Sequence, residues 1–199
     1  MRGGFLYFLL LSCLWLGAGG QGWAQGAHRT IDSMHFRAVD QDDPLLAKEF
    51  SEKQAFYALR PPAGWQKTML SGAEKPLQYG VKFKDPHTGD FMTLGLIEGG
   101  PKDLTIESLS LFRGDYLATV RKRGLGKVVG SDLFRFKHYT CLQVMAQKGK
   151  TLVLQLLVFD QPGNFLQLAF SVDHGRYHAL ARTLEACIAS LEWPDFKRQ

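Results

Sequence analysis

The stretch Thr151-Leu152-Val153-Leu154-Gln155-Leu156-Leu157-Val158-Phe159 decides the fold. In an extended chain successive side chains point to opposite faces, so Leu152, Leu154, Leu156 and Val158 share one face and Val153, Leu157 and Phe159 the other. Both faces are apolar, which predicts a central strand covered on both sides. Residues 127–129, 133–147 and 165–172 around it are rich in β-branched and aromatic side chains. Lys148-Gly149-Lys150 and Gln161-Pro162-Gly163-Asn164 supply turns between these segments, so the second half of the chain predicts an antiparallel meander.

The covering layers come from two helical patterns. Ile106, Leu109, Phe112, Tyr116 and Val120 recur at spacings of three and four, predicting a helix that starts after Asp103 or Thr105 and ends at Arg123. Glu107 lies in its first turn, Arg121-Lys122-Arg123 in its last, and Gly124 follows as the residue that leaves the helix. Asp173 caps a second helix to about Leu191, with Tyr177, Leu180, Leu184, Ile188 and Leu191 on its buried stripe beside Cys187. Upstream, Leu77, Tyr79, Val81 and Phe83 alternate with polar or small neighbours, and residues 91–97 return after Asp85-Pro86-His87-Thr88-Gly89-Asp90 to make a hairpin. Residues 55–60 predict a strand that stops at Pro61-Pro62-Ala63-Gly64, and Asp43-Pro44 with Leu46 and Phe50 predicts a short helix over 44–53. The fold class is α+β: a mostly antiparallel sheet flanked by helices, packed in layers.

The N-terminal residues have a different character. Arg2, an apolar run from Phe5 to Leu16 and the small-residue exit Gly22-Trp23-Ala24 form the pattern of a secretory signal over 1–24, too short to span a hydrocarbon core that needs about 20 apolar residues. A competing pattern, Leu10-Leu11-Ser12-Cys13, resembles a bacterial lipobox that would anchor the chain by a lipid on Cys13, although Leu14-Trp15-Leu16 continues the apolar run beyond it. The expected organisation is a signal peptide over 1–24, a polar arm over 25–43, one domain over 44–194 and a polar tail over 195–199. Cleavage after Ala24 removes one of 24 Lys+Arg and no acid, leaving 23 against 19 Asp+Glu, a net +4. The exported chain keeps Cys141 and Cys187, which an oxidising compartment permits to pair; two buried free thiols are the alternative, and their spacing fits no zinc or redox motif.

In order and punctuation the chain resembles the PsbP-like family, which includes an extrinsic photosystem subunit, Ran-binding relatives in the nucleus and many exported bacterial proteins. Pro61-Pro62-Ala63-Gly64-Trp65 is similar to that family's early strand followed by Pro-x-Gly-Trp. The 105–123 helix matches its middle helix, and Ser190-Leu191-Glu192-Trp193 its Ser-Phe-x-Trp ending, with Leu191 where an aromatic is commoner. The resemblance covers about 56–193. It implies an α/β/α sandwich, burial of Trp65 and Trp193 where the core closes, and a binding or accessory module without naming a ligand.

No residue-specific signature of catalysis accompanies these patterns. His174 and His178 stand four apart, but Gly175 follows His174 where the metalloprotease motif carries its glutamate. Asp85, His87 and Asp90 contain metal-ligating chemistry, yet they are equally ordinary hairpin residues. Gly124-x-Gly126 lacks a dinucleotide-binding context, and Ser131 and Ser171 have no partners evident in sequence. The expectation is therefore no catalytic, cofactor or metal residues. The strongest charge feature is Arg121-Lys122-Arg123 with Lys127, read either as a solvated helix end or as a docking patch for an envelope protein or an anionic membrane surface. Export argues against nucleic acid. The resulting expectation is an exported, periplasmic or secreted accessory module without cofactors, the alternative being an envelope hydrolase whose site assembles from sequence-distant residues.

Overall fold

The computed structural model describes residues 43–72 and 76–193. The leader, Cys13, nearly all of the arm and the tail lie outside these residues. The element order is β1 (Phe50–Glu52), β2 (Tyr57–Leu59), β3 (Gln66–Thr68), β4 (Gln78–Lys84), β5 (Phe91–Glu98), α1 (Ile106–Lys122), β6 (Lys127–Phe136), β7 (Tyr139–Lys148), β8 (Thr151–Phe159), β9 (Asn164–Asp173) and α2 (Tyr177–Ala189). Seven strands form one sheet in the order β3-β4-β5-β9-β8-β7-β6, every pairing antiparallel. The meander thus starts at one edge and works inward until β9 zips against β5.

Strand β8 is covered on both faces, as its sequence predicts. Leu152, Leu154, Leu156 and Val158 join Tyr177, Leu184, Cys187 and Ile188 of α2 in one core. Leu157 and Phe159 join Leu142, Val144, Phe165 and Leu109 of α1 in the other. Phe112 of α1 meets Phe159 and Phe165 edge-on, with ring centroids 5.5 and 5.6 Å apart, the arrangement that aromatic quadrupoles favour. Ile106 is an exception: placed on the buried stripe by its spacing, it is 78% exposed, while Leu104 before it and Leu109 after it pack on the sheet.

Trp65 and Trp193 are buried, and the Ser190-Leu191-Glu192-Trp193 segment closes the core. The Ser190 hydroxyl accepts from Arg60 N–H at 2.9 Å, Glu192 and Ala58 exchange backbone hydrogen bonds, and the Tyr139 hydroxyl both donates to Trp193 C=O and accepts from Trp193 N–H. Leu191, in place of the commoner aromatic, is fully buried.

Three local expectations are corrected. No helix forms over 44–53. The Asp43 cap does close one turn, accepting from Leu45 N–H at 2.9 Å, but Ala47 N–H then donates to Pro61 C=O and Phe50–Glu52 pairs with Tyr57–Leu59. Tertiary pairing offers these backbone groups partners that a two-turn helix lacks. Tyr79 does not share the inward face of β4, since a register shift between Gln78 and Val81 and a φ of 51° turn it outward. The span 133–147, predicted as one strand, breaks at Lys137-His138, where Lys137 takes a φ of 54° and the chain reverses without glycine or proline.

Candidate functional site

The α1 C-terminus unwinds in a Schellman motif. Gly124 N–H donates to Arg121 C=O and Leu125 N–H to Val120 C=O, with Gly124 at φ 64°. The next glycine is required by space: a Cβ on Gly126 would lie 2.5 Å from Gln147 O, so β6 can start flush against β7. Ten-residue strands β6 and β7 then carry the chain out and back, returning Lys148 to the same corner. Its Nζ donates to Gly124 C=O at 3.0 Å.

The corner collects Arg121, Lys122, Arg123, Lys127, Lys148 and Lys150 from the end of α1, the start of β6 and the β7–β8 turn, all of them exposed. None has an ion-pair partner among the described residues. The carbonyl end of α1, carrying partial negative charge, offsets the cation cluster only within its last turn. One further effect reaches inward: burial raises the Tyr116 hydroxyl to about 12, an effect that the charge of Arg123 opposes. Tyr116 donates to Gln155 Oε1 beneath the helix at 3.2 Å.

Four of these cations, Arg121, Lys122, Arg123 and Lys127, form the patch marked in the sequence, and the structure brings them together. Lys148 and Lys150 were missed. Their signal lies in strand lengths: once the chain reverses at Lys137-His138, equal excursions must return the next turn to the starting end.

The other candidate residues have different surroundings. Cys141 and Cys187 are free thiols rather than a disulfide. Cys187 Sγ sits 3.9 Å from Met92 Sδ on β5, whereas Cys141 belongs to β7, three strand spacings or about 14 Å across the sheet, beyond the reach of a disulfide. Asp85, His87 and Asp90 do not converge. Asp85 accepts from the Thr88 hydroxyl at 2.7 Å, which holds its carboxyl below the usual range, while Asp90 turns inward to pair with Arg176 and accept from Asp173 N–H at 3.0 Å. His174 lies in a 3-10 turn after β9, His178 is exposed on α2, and no group of three metal-ligating side chains occurs among the described residues. The Ser131 hydroxyl accepts from Arg113 Nε at 2.7 Å, tying α1 to β6, and Ser171 lies within the β5–β9–β8 ladder. A cleft of about 550 Å³ opens to solvent between Asp43, Leu46, Lys48, Glu49 and Arg60. The Arg60 guanidinium there donates to the carbonyls of Ala47 and Asp43. No described helix is long and apolar enough to cross a membrane.

Comparison with known proteins finds no matching protein family and no matching curated protein. Among solved structures the chain is similar to cyanobacterial PsbP (CyanoP) from Synechocystis sp. PCC 6803, with a TM-score of 0.58 at 13% identity over 79% of this chain and 98% of that one. A protein from Bacteroides thetaiotaomicron aligns with a TM-score of 0.46 at 16% identity, over 77% of this chain and 50% of that one. The fold is PsbP-like.

Proposed function

We propose that this PsbP-like chain is an exported, non-catalytic binding module that docks to an anionic envelope component through Arg121, Lys122, Arg123 and Lys127. The observation that carries the reading is their exposure without ion-pair partners at one corner of the sheet. Ordinary surface cations are interspersed with acids; a cluster held on three joined elements raises the local potential and steers anionic partners. The fold itself is compatible with an accessory role and names no ligand. A hydrolase gains no support from Ser131, whose hydroxyl is taken by a guanidinium.

The test replaces Arg121, Lys122 and Arg123 by Gln, which keeps helix propensity while removing charge. A charge-matched control replaces exposed Lys48, Lys53 and Lys102, which lie outside the corner. Binding to envelope membranes at low salt should fall for the corner variant and persist for the control; equal binding by both would reduce the corner to helix capping. The export part of the proposal has its own measurement. Intact mass of the native protein should correspond to a chain beginning at Gln25, and a diacylated species beginning at Cys13 would establish the lipoprotein alternative.

A further inference from the structure

We infer that the surface docked by this corner is an anionic lipid bilayer, with Leu125 seated in its headgroup layer; the inference rests on the docking reading above and names its ligand. Leu125 stands between Arg123 and Lys127, flanked by glycines at φ 64° and 127°, and remains 41% exposed. Its backbone is fixed, since its N–H is bound to Val120 C=O at 3.2 Å and Gly126 is seated against Gln147. The apolar side chain is therefore presented outward by a rigid loop, in the middle of the cations. That pairing of basic groups with a projecting apolar residue suits the interface of a bilayer, where the cations meet phosphates and the leucine leaves water.

A folded acidic partner would ask for something different. Recognition of fixed carboxylates gains most from donors already held in place, often bidentate arginines. Here Arg121, Lys122, Arg123, Lys127 and Lys150 have no side-chain hydrogen bond or ion pair among the described residues, and Lys148 alone is tethered, to Gly124 C=O. Untethered cations match a fluid layer of charge better than a fixed pattern. The carboxylate on the neighbouring strand, Asp173 opposite Thr151, is engaged with Gly175 N–H at 2.8 Å.

The experiment uses the full chain in flotation with phosphatidylcholine vesicles, with and without phosphatidylglycerol, and in parallel with immobilised polyglutamate. The zwitterionic vesicles set a baseline for any uptake through the apolar N-terminal segment. Binding should require phosphatidylglycerol and fade between 0.1 and 1 M salt as the Debye length contracts from about 10 to about 3 Å. Lys148→Gln and Lys150→Gln should each weaken it about fivefold. Leu125→Ser should weaken vesicle binding while leaving polyglutamate binding unchanged, and the emission of Leu125→Trp should shift to the blue on anionic vesicles. Polyglutamate binding without phosphatidylglycerol-dependent flotation would overturn the bilayer inference and leave the docking reading standing. Binding to neither would overturn both, and an unshifted Leu125→Trp emission on vesicles that do bind the protein would remove the leucine from the inference.

Discussion

Asp90 shows how a residue with candidate chemistry becomes structural. It leaves the β4–β5 turn, is only 6% exposed, and meets Arg176 while its other oxygen accepts from Asp173 N–H. One carboxylate thus joins the hairpin to the start of α2. Removing the cation strands a buried anion, whereas removing the anion leaves an arginine whose Nη2 is buried but whose side chain is 35% exposed, so the guanidinium can turn out to water. Arg176→Ala is therefore expected to cost about 2 kcal/mol, below the 3–5 kcal/mol of a fully buried pair, and Asp90→Asn about 1 kcal/mol. Urea denaturation of the two variants at neutral pH checks the order; a larger loss for Asp90→Asn, which keeps an oxygen to accept from Asp173 N–H, would show that the unpaired Arg176 cation costs more than the unpaired Asp90 carboxylate.

At the scale of elements, the end of α2 is held by a strand residue. The Tyr139 hydroxyl, at the start of β7, satisfies both the N–H and the C=O of buried Trp193, at 2.8 and 2.7 Å, and Lys137 Nζ donates to Leu191 C=O in the same closure. Burial raises the Tyr139 hydroxyl, and its bond to Trp193 opposes that shift. Tyr139→Phe keeps the ring packing and leaves two buried backbone groups without partners, an expected loss of about 1–3 kcal/mol. Amide exchange at Trp193 should accelerate with it. An unchanged exchange rate would mean that the segment is held by Leu191 and Trp193 packing alone.

For the molecule as a whole, five acids of high intrinsic pKa, four buried and Tyr116 half-buried, share one sign of shift. Burial raises the thiols of Cys141 and Cys187 and the hydroxyls of Tyr57, Tyr116 and Tyr139 above their ordinary values of 9.0 and 10.0. The unfolded chain releases these protons first, so it binds fewer protons than the native state and stability must fall as pH rises. The contribution is complete below about pH 9 and is lost upward through pH 12. The thermal midpoint should hold level from pH 7 to 8 and drop steeply above 9, and replacing both cysteines by Ala should delay the onset by about one unit. A midpoint level to pH 11 would contradict the burial of these groups.

The covered strand Thr151–Phe159, the hairpin around Asp85 to Asp90, and α1 with its exit at Gly124 were legible in the chain by itself, while the choice of Thr105 over Asp103 as the cap of α1 came from the structure. Each depends on alternation, helical spacing or a terminal residue, forces that act within a few neighbours. The basic end of α1 was legible for the same reason. The fate of 44–53, the outward turn of Tyr79, the reversal at Lys137-His138, the separation of Cys141 from Cys187 and the arrival of Lys148 at Gly124 were decided by tertiary structure. These depend on which strands pair and in what register, and a register shift of one residue reverses every side chain's face. That choice is made by the summed packing of both cores across the whole sheet, whose contacts join residues far apart in the chain.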